Sequence, residues 1–205
     1  MSYLEFKARM FDLACFNIHQ VFAWKPDFDR NNITRWLKKG YLIQLRQGYY
    51  TFTEYKSKPD YPLYFANRIY RPSYISLHSA LSFYGMIPEI VVQITSVTSI
   101  KTCFFRNDFG EYSYKKVKED LMFGSDLKSM ADNRTVQFAT PEKALLDLLY
   151  LYPFYNNKNE IEALRLDEDY LQDDLNGDLL MEYAERFHSK ALSQRVKLLF
   201  KTYAL

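Results

Sequence analysis

Asn31, Thr34, Arg35, Lys38 and Lys39 crowd into the segment NNITRWLKKG, and their types suit chemistry on a nucleic acid. A guanidinium pairs bidentately with guanine in the major groove, and a carboxamide does the same with adenine. Asn31 and Arg35 stand four residues apart, so a helix presents both on one face, with Thr34 beside them. These three are the candidates for base edges. Lys38 and Lys39 follow as candidates for phosphate contact, with Arg30 just ahead on the same side. Lys25 closes a preceding helix, where it can touch the duplex backbone. Arg46 and Gln47 stand at the tip of a following hairpin, placed for phosphate or the minor groove. An exposed helix face often carries charge for solvation alone; the hairpin behind this one is what singles it out.

The elements that must position these side chains are legible nearby. Ile33, Trp36 and Leu37 recur at helical spacing and predict that the helix turns its other side to a core. Asp27 or Asp29 is placed to cap it, and Gly40 stops it. Tyr41 to Arg46 alternates as a strand, Gln47-Gly48 turns, and Tyr49 to Thr53 returns. Ahead of this, apolar positions predict one helix over residues 3–16 and another from Ile18 to Trp24, stopped by Pro26. Three helices and a basic hairpin predict a winged helix-turn-helix over residues 1–56, a motif that sets one helix in the major groove and lays its hairpin along the backbone. The polar segment Glu54 to Pro62 reads as a boundary.

Beyond it, Leu63 to Ile69 predicts a helix, and Ser76 is placed to cap LHSALSFYG, which ends at Gly85. Ile90 to Ile100 is rich in β-branched residues and reads as a strand, which Lys101 to Phe105 continues or neighbours. Gly110 to Val117 alternates as a strand after a turn at Asn107-Asp108, and Thr135 to Phe138 is a short strand. Thr140 and Pro141 open the helix EKALLDLLYL. The tail from Asn156 is helical, acidic as far as His188 and basic from Lys190 to Lys201. The fold class expected is α+β: a winged helix-turn-helix, then an α+β domain over residues 63–205 with a small sheet flanked by helices.

Other chemistry is weaker in the sequence. His78 lies near Ser76 and Ser79, without a carboxylate partner or nucleophile elbow, and reads as a partly buried helix residue. Gly124-Ser125 resembles the turn that opens a nucleotidyltransferase site, but the Asp-x-Asp pair that would hold metal does not follow it. The run Asp167, Glu168, Asp169, Asp173 and Asp174 contains that spacing within a Leu-rich helical stretch, and reads as a solvated face. Lys101, Arg106, Lys115, Lys116 and Lys118 flank the expected sheet, diluted by Glu111, Glu119 and Asp120. Cys15 and Cys103 lack metal-ligand spacing and His19 and His188 are isolated, so no cofactor, metal or catalytic residue is expected, and the chain is not read as an enzyme.

Charge supports the division of labour. Residues 1–58 hold ten Lys or Arg against five Asp or Glu, whereas residues 59–205 hold seventeen against twenty. Basic charge gathered at one end is the footprint expected of a nucleic-acid module. The aromatic share of 18% is expected to fill cores. No apolar run is long enough to span a membrane, and Glu5 and Asp12 interrupt the first apolar pattern, unlike a signal peptide. A reduced, cytoplasmic protein is expected.

Four segments together resemble the AbiEi-type antitoxins of type IV toxin–antitoxin and phage-abortive-infection systems. WLKKGYLIQLRQGYYTF is similar to the family's winged-helix end, and YISLHSALSFYGMIPE to the helix that opens its antitoxin domain. VQITSVTSIKT and VQFATPEKALLDLL are similar to that domain's strand and closing helix. The resemblance covers roughly residues 15–155 and rests on the order and spacing of these pieces. It implies a transcriptional autorepressor that binds inverted repeats of double-stranded DNA in its own promoter. It also implies that the second domain counters a nucleotidyltransferase-like toxin without a stable complex. The alternative is a stand-alone winged-helix regulator whose second domain senses a ligand or partner.

Overall fold

The computed structural model describes residues 1–204, with Ala131 described by its backbone. Helix α1 (Tyr3–Met10) starts where the Ser2 hydroxyl accepts from the Glu5 N–H, and it buries Phe6 and Met10. The helix is shorter than the expected span of residues 3–16. A 3-10 turn over Phe11–Leu13 and an Ala14 with positive φ (57°) reverse the chain into strand β1 (Phe16–Asn17). Phe16 therefore pairs with Tyr50 in a sheet instead of extending the helix.

Asn17 then caps α2 (Ile18–Trp24) reciprocally: its Oδ1 accepts from the Gln20 N–H at 3.0 Å and its own N–H donates to Gln20 Oε1 at 2.8 Å. For α3 (Asn31–Lys38) the Asp29 carboxylate accepts from the Asn31 N–H at 2.9 Å. Gly40 (φ 70°) ends that helix: its N–H bonds to the Leu37 carbonyl, and the Tyr41 N–H to that of Trp36. Only a residue at ease with positive φ allows both bonds. Strands β2 (Leu42–Arg46) and β3 (Tyr49–Phe52) follow, turning at Gln47-Gly48, and the antiparallel sheet has the order β1-β3-β2. Its core is aromatic, with the Phe6 ring 4.6 Å from Trp36, 5.4 Å from Phe16 and 5.7 Å from Phe28.

The segment Glu54 to Pro62 is folded. A 3-10 turn over Thr53–Ser57 buries Tyr55, whose hydroxyl donates to the Phe11 carbonyl at 2.6 Å, and α4 (Tyr61–Ile69) begins directly after. The rest is mixed α and β. Strand β4 (Ser73–Ile75), helix α5 (Leu77–Phe83) and strands β5 (Gln93–Thr98), β6 (Cys103–Asn107), β7 (Gly110–Lys116), β8 (Ser125–Ser129) and β9 (Thr135–Ala139) lead to α6 (Pro141–Leu151). The six strands form one sheet in the order β6-β7-β5-β4-β9-β8, parallel at β5/β7 and β4/β9 and antiparallel elsewhere. β6 lies beyond β7, neither continuing β5 nor pairing with it.

Alternation along the strands separates two layers of helices. The Tyr114 hydroxyl donates to the Ala66 carbonyl of α4, whereas Tyr74 and Thr95 point the other way, to α6 and α5. The tail supplies α7 (Lys158–Glu162), α8 (Glu168–Asp173), α9 (Gly177–Arg186) and α10 (Lys190–Tyr203); α9 and α10 pack on α6, and they bury Leu180, Leu192 and Val196. Buried apolar side chains form one continuous cluster from Phe6 to Leu199. None of the described helices is long and apolar enough to cross a membrane.

Candidate nucleic-acid interface

Helix α3 has two chemically distinct faces. Ile33, Trp36 and Asn32 are buried, and Trp36 is locked among the rings of Phe6, Phe28 and Tyr3, which fixes the rotation of the helix about its axis. That rotation leaves Asn31, Thr34, Arg35 and Lys38 exposed, with Arg30 at one end and Lys39 at the other. Among the described residues, none of Arg30, Arg35, Lys38 and Lys39 is paired with a carboxylate. Lys39 lies over the exposed Tyr41 ring at 5.9 Å. The face thus gathers hydrogen-bonding side chains and uncompensated positive charge on one rigid helix.

Other candidates lie elsewhere or are already engaged. Lys25 is ion-paired with Asp27 at 3.1 Å at the end of α2. Gln47 is exposed at the hairpin tip. Arg46, expected beside it for phosphate or minor-groove contact, is turned away from solvent. Its Nη1 donates to the Ile69 carbonyl at 2.6 Å, and its guanidinium lies 4.9 Å from the Tyr70 ring and 4.8 Å from that of Phe105. The cause is a bulge: Gln44 pairs with Tyr50 but Arg46 pairs with Tyr49, so one extra residue moves Arg46 off the face that Gln44 occupies. Asn107 adds to the anchorage by donating to the Leu45 carbonyl at 2.9 Å. The hairpin therefore shows solvent Gln44 and Gln47, with its arginine packed inward.

Ser76 stands at the N-cap position of α5, but its hydroxyl does not cap. It donates instead to Asp147 Oδ2 at 2.8 Å, joining a buried quartet that the sequence reading missed. Lys143 and Asp147 form an ion pair one helical turn apart on α6, both with fully buried side chains. The Tyr74 hydroxyl donates to Asp147 Oδ2 at 3.0 Å and lies 2.8 Å from the Lys143 ammonium. Burial pushes Lys143 down and Asp147 up from their ordinary values. Each charge is surrounded by partners and shut off from solvent, so the quartet fastens α6 to β4 and the start of α5. Its one signal in the sequence is a Lys and an Asp four apart within the otherwise apolar KALLDLL.

The remaining candidates are dispersed. His78 is half-buried, and burial lowers its imidazole below 6.5. Gly124 (φ 64°) forms the turn into β8, where an added Cβ would fall 2.8 Å from the Tyr183 ring, and Asp126 beyond it is exposed. Asp167, Glu168, Asp169, Asp173 and Asp174 are exposed around α8, where Asp167 caps the helix through the Tyr170 N–H. Arg106 pairs with Glu111 at 3.7 Å and Lys115 lies over Tyr152, so the middle basic residues form no continuous patch with the exposed Lys116 and Lys118. Both cysteines are free, and burial pushes the Cys15 thiol up to about 12. Among the described residues no three His, Cys, Asp or Glu side chains converge to hold a metal. No protein-family model and no curated protein matches the chain.

Proposed function

We propose that residues 1–56 form a winged helix-turn-helix that sets α3 in the major groove of DNA. The observation that carries this is the pairing of a buried Trp36 with an exposed, carboxylate-free Asn31, Thr34, Arg35 and Lys38 on one helix. The element order α1-β1-α2-α3-β2-β3 and the sheet order β1-β3-β2 support it, since they place a hairpin directly behind that helix. In this reading Asn31, Thr34 and Arg35 meet base edges, Arg30, Lys38 and Lys39 meet phosphates, and Gln47 reaches the flanking backbone. Arg46 is left out, because its guanidinium is committed to Ile69, Tyr70 and Phe105.

On the family resemblance, the chain is a cytoplasmic, non-catalytic AbiEi-type antitoxin that autorepresses its operon, with the antitoxin role in residues 63–205. Its DNA partner is an inverted repeat in its own promoter. Its functional partner is a nucleotidyltransferase-like toxin countered without a stable complex. The test of the DNA reading is a titration of the full chain on DNA from upstream of its gene against scrambled DNA at two salt concentrations. Preference for the upstream sequence, with affinity falling steeply as salt rises, is the expected result. Equal affinity for both DNAs at moderate salt would sink it. For the antitoxin role, co-expression with a neighbouring nucleotidyltransferase-like gene should rescue growth.

A further inference from the structure

Strands β4 and β9 run parallel but pair only where Ile75 meets Phe138. Towards their amino ends they part, and residues of both line a cleft of about 640 Å³. That lies within the range of about 300–1,000 Å³ usual for small-molecule sites. The Asn67 carboxamide stands where a paired strand would: it accepts from the Gln137 N–H and donates to the Gln137 carbonyl. The main chain of the cleft wall is thereby satisfied without closing the gap.

Two arginines stand in the lining. Arg68 lies over the Tyr64 ring at 4.8 Å, and Arg71 Nε donates to the Asn67 carbonyl at 3.0 Å. Both guanidiniums are held by uncharged partners. No carboxylate lines the cleft, and among the described residues neither arginine is paired with one. Burial, and then the Arg68 charge beside it, lower Arg71 below the usual guanidinium range. Hydroxyl and carboxamide groups of Ser73, Ser125 and Gln137 share the lining, with apolar surface from Met122 and Leu127.

We propose that this cleft binds a phosphorylated small molecule of nucleotide size. Arg68 and Arg71 hold the phosphate oxygens, for which a fixed pair of guanidinium forks is the matching receptor. Ser125 and Gln137 take the remaining hydrogen bonds, the Ser73 hydroxyl being committed to the Tyr70 carbonyl, and Met122 and Leu127 carry the organic part. The site goes beyond DNA binding by α3 and stands whether or not α3 binds DNA.

Isothermal titration of the full chain with pyrophosphate and with ATP, in phosphate-free buffer, tests it. Both are expected to bind at one site, and Arg68→Gln and Arg71→Gln each to weaken binding by about tenfold or more. Thr135→Glu adds a carboxylate at an exposed lining position, and should weaken both probes while leaving the melting temperature unchanged. Arg35→Ala should leave their affinity intact, which separates this site from a general attraction of anions to α3. Failure of both probes to bind overturns the proposal, as does binding that survives the arginine variants and Thr135→Glu. Binding of single-stranded RNA by a chain that takes neither probe overturns it as well.

Discussion

Gln44 and Arg46 stand two residues apart on β2 yet face opposite sides of it, because the register slips between them from Tyr50 to Tyr49. Regular alternation would have left both in solvent. The slip turns Arg46 onto the Ile69 carbonyl and the rings of Tyr70 and Phe105, so it joins the small sheet to the large one. Arg46→Ala should therefore act on stability. A loss of about 1–3 kcal/mol is expected from one charge-assisted hydrogen bond and its cation–π partners, read as a lower urea midpoint. The salt dependence of DNA binding should stay as in the wild type; a shallower slope would return Arg46 to the phosphate contacts.

In the proposed DNA complex the roles on α3 divide by chemistry. Arg35→Ala should remove one bidentate base contact and cost about 1–3 kcal/mol of discrimination between the upstream DNA and its scrambled counterpart. Lys38→Ala should weaken binding to both DNAs alike and lower the salt slope by about 0.9. Competition titrations at several salt concentrations measure both quantities. If Arg35→Ala weakens both DNAs equally, Arg35 contacts phosphate and the base assignment fails.

What the sequence revealed and what it hid follow from the range of the interactions. α2, the end of α3 at Gly40 and the start of α6 at Thr140 depend on partners within a few residues, such as Asn17 with Gln20, and so are written locally. The exposed face of α3 is legible for the same reason, since the spacing of Ile33 and Trp36 marks the opposite side as the buried one. β1 and β4 are hidden because they are strands of two and three residues whose pairing partners lie far off, as Phe16 with Tyr50 or Ser73 with Thr98. β8 pairs with the neighbouring β9, but its residues Ser125–Ser129 are mostly polar and lack the β-branched and aromatic types that mark a strand. The inward turn of Arg46 needs a bulge that composition does not announce. The cleft at Arg68 and Arg71 needs two parallel strands to part, which no local pattern encodes.

Lys143 and Asp147 make a strong claim about stability. Removing one member leaves the other as a buried, uncompensated charge, so Lys143→Met or Asp147→Leu alone should cost about 3–5 kcal/mol. Replacing both by apolar residues of similar size removes the uncompensated charge, and the double variant should recover much of that loss. Urea unfolding of the three variants against the wild type checks it. Additive losses in the double variant would show that the two side chains do not act as a pair.

His78 supplies a pH dependence whose sign can be worked out. Burial holds its imidazole below 6.5 in the folded chain, and the weaker pull of Glu89 works the other way. In the unfolded chain the imidazole takes its proton near 6.5, so between the two values the unfolded state binds more protons. The stability it contributes is present above 6.5 and is lost as pH falls through the folded value. Melting temperatures from about pH 7.5 down to about pH 5 should therefore fall further for the wild type than for His78→Gln, which has no imidazole to charge. Parallel losses in the two proteins would place the acid sensitivity on the carboxylates instead.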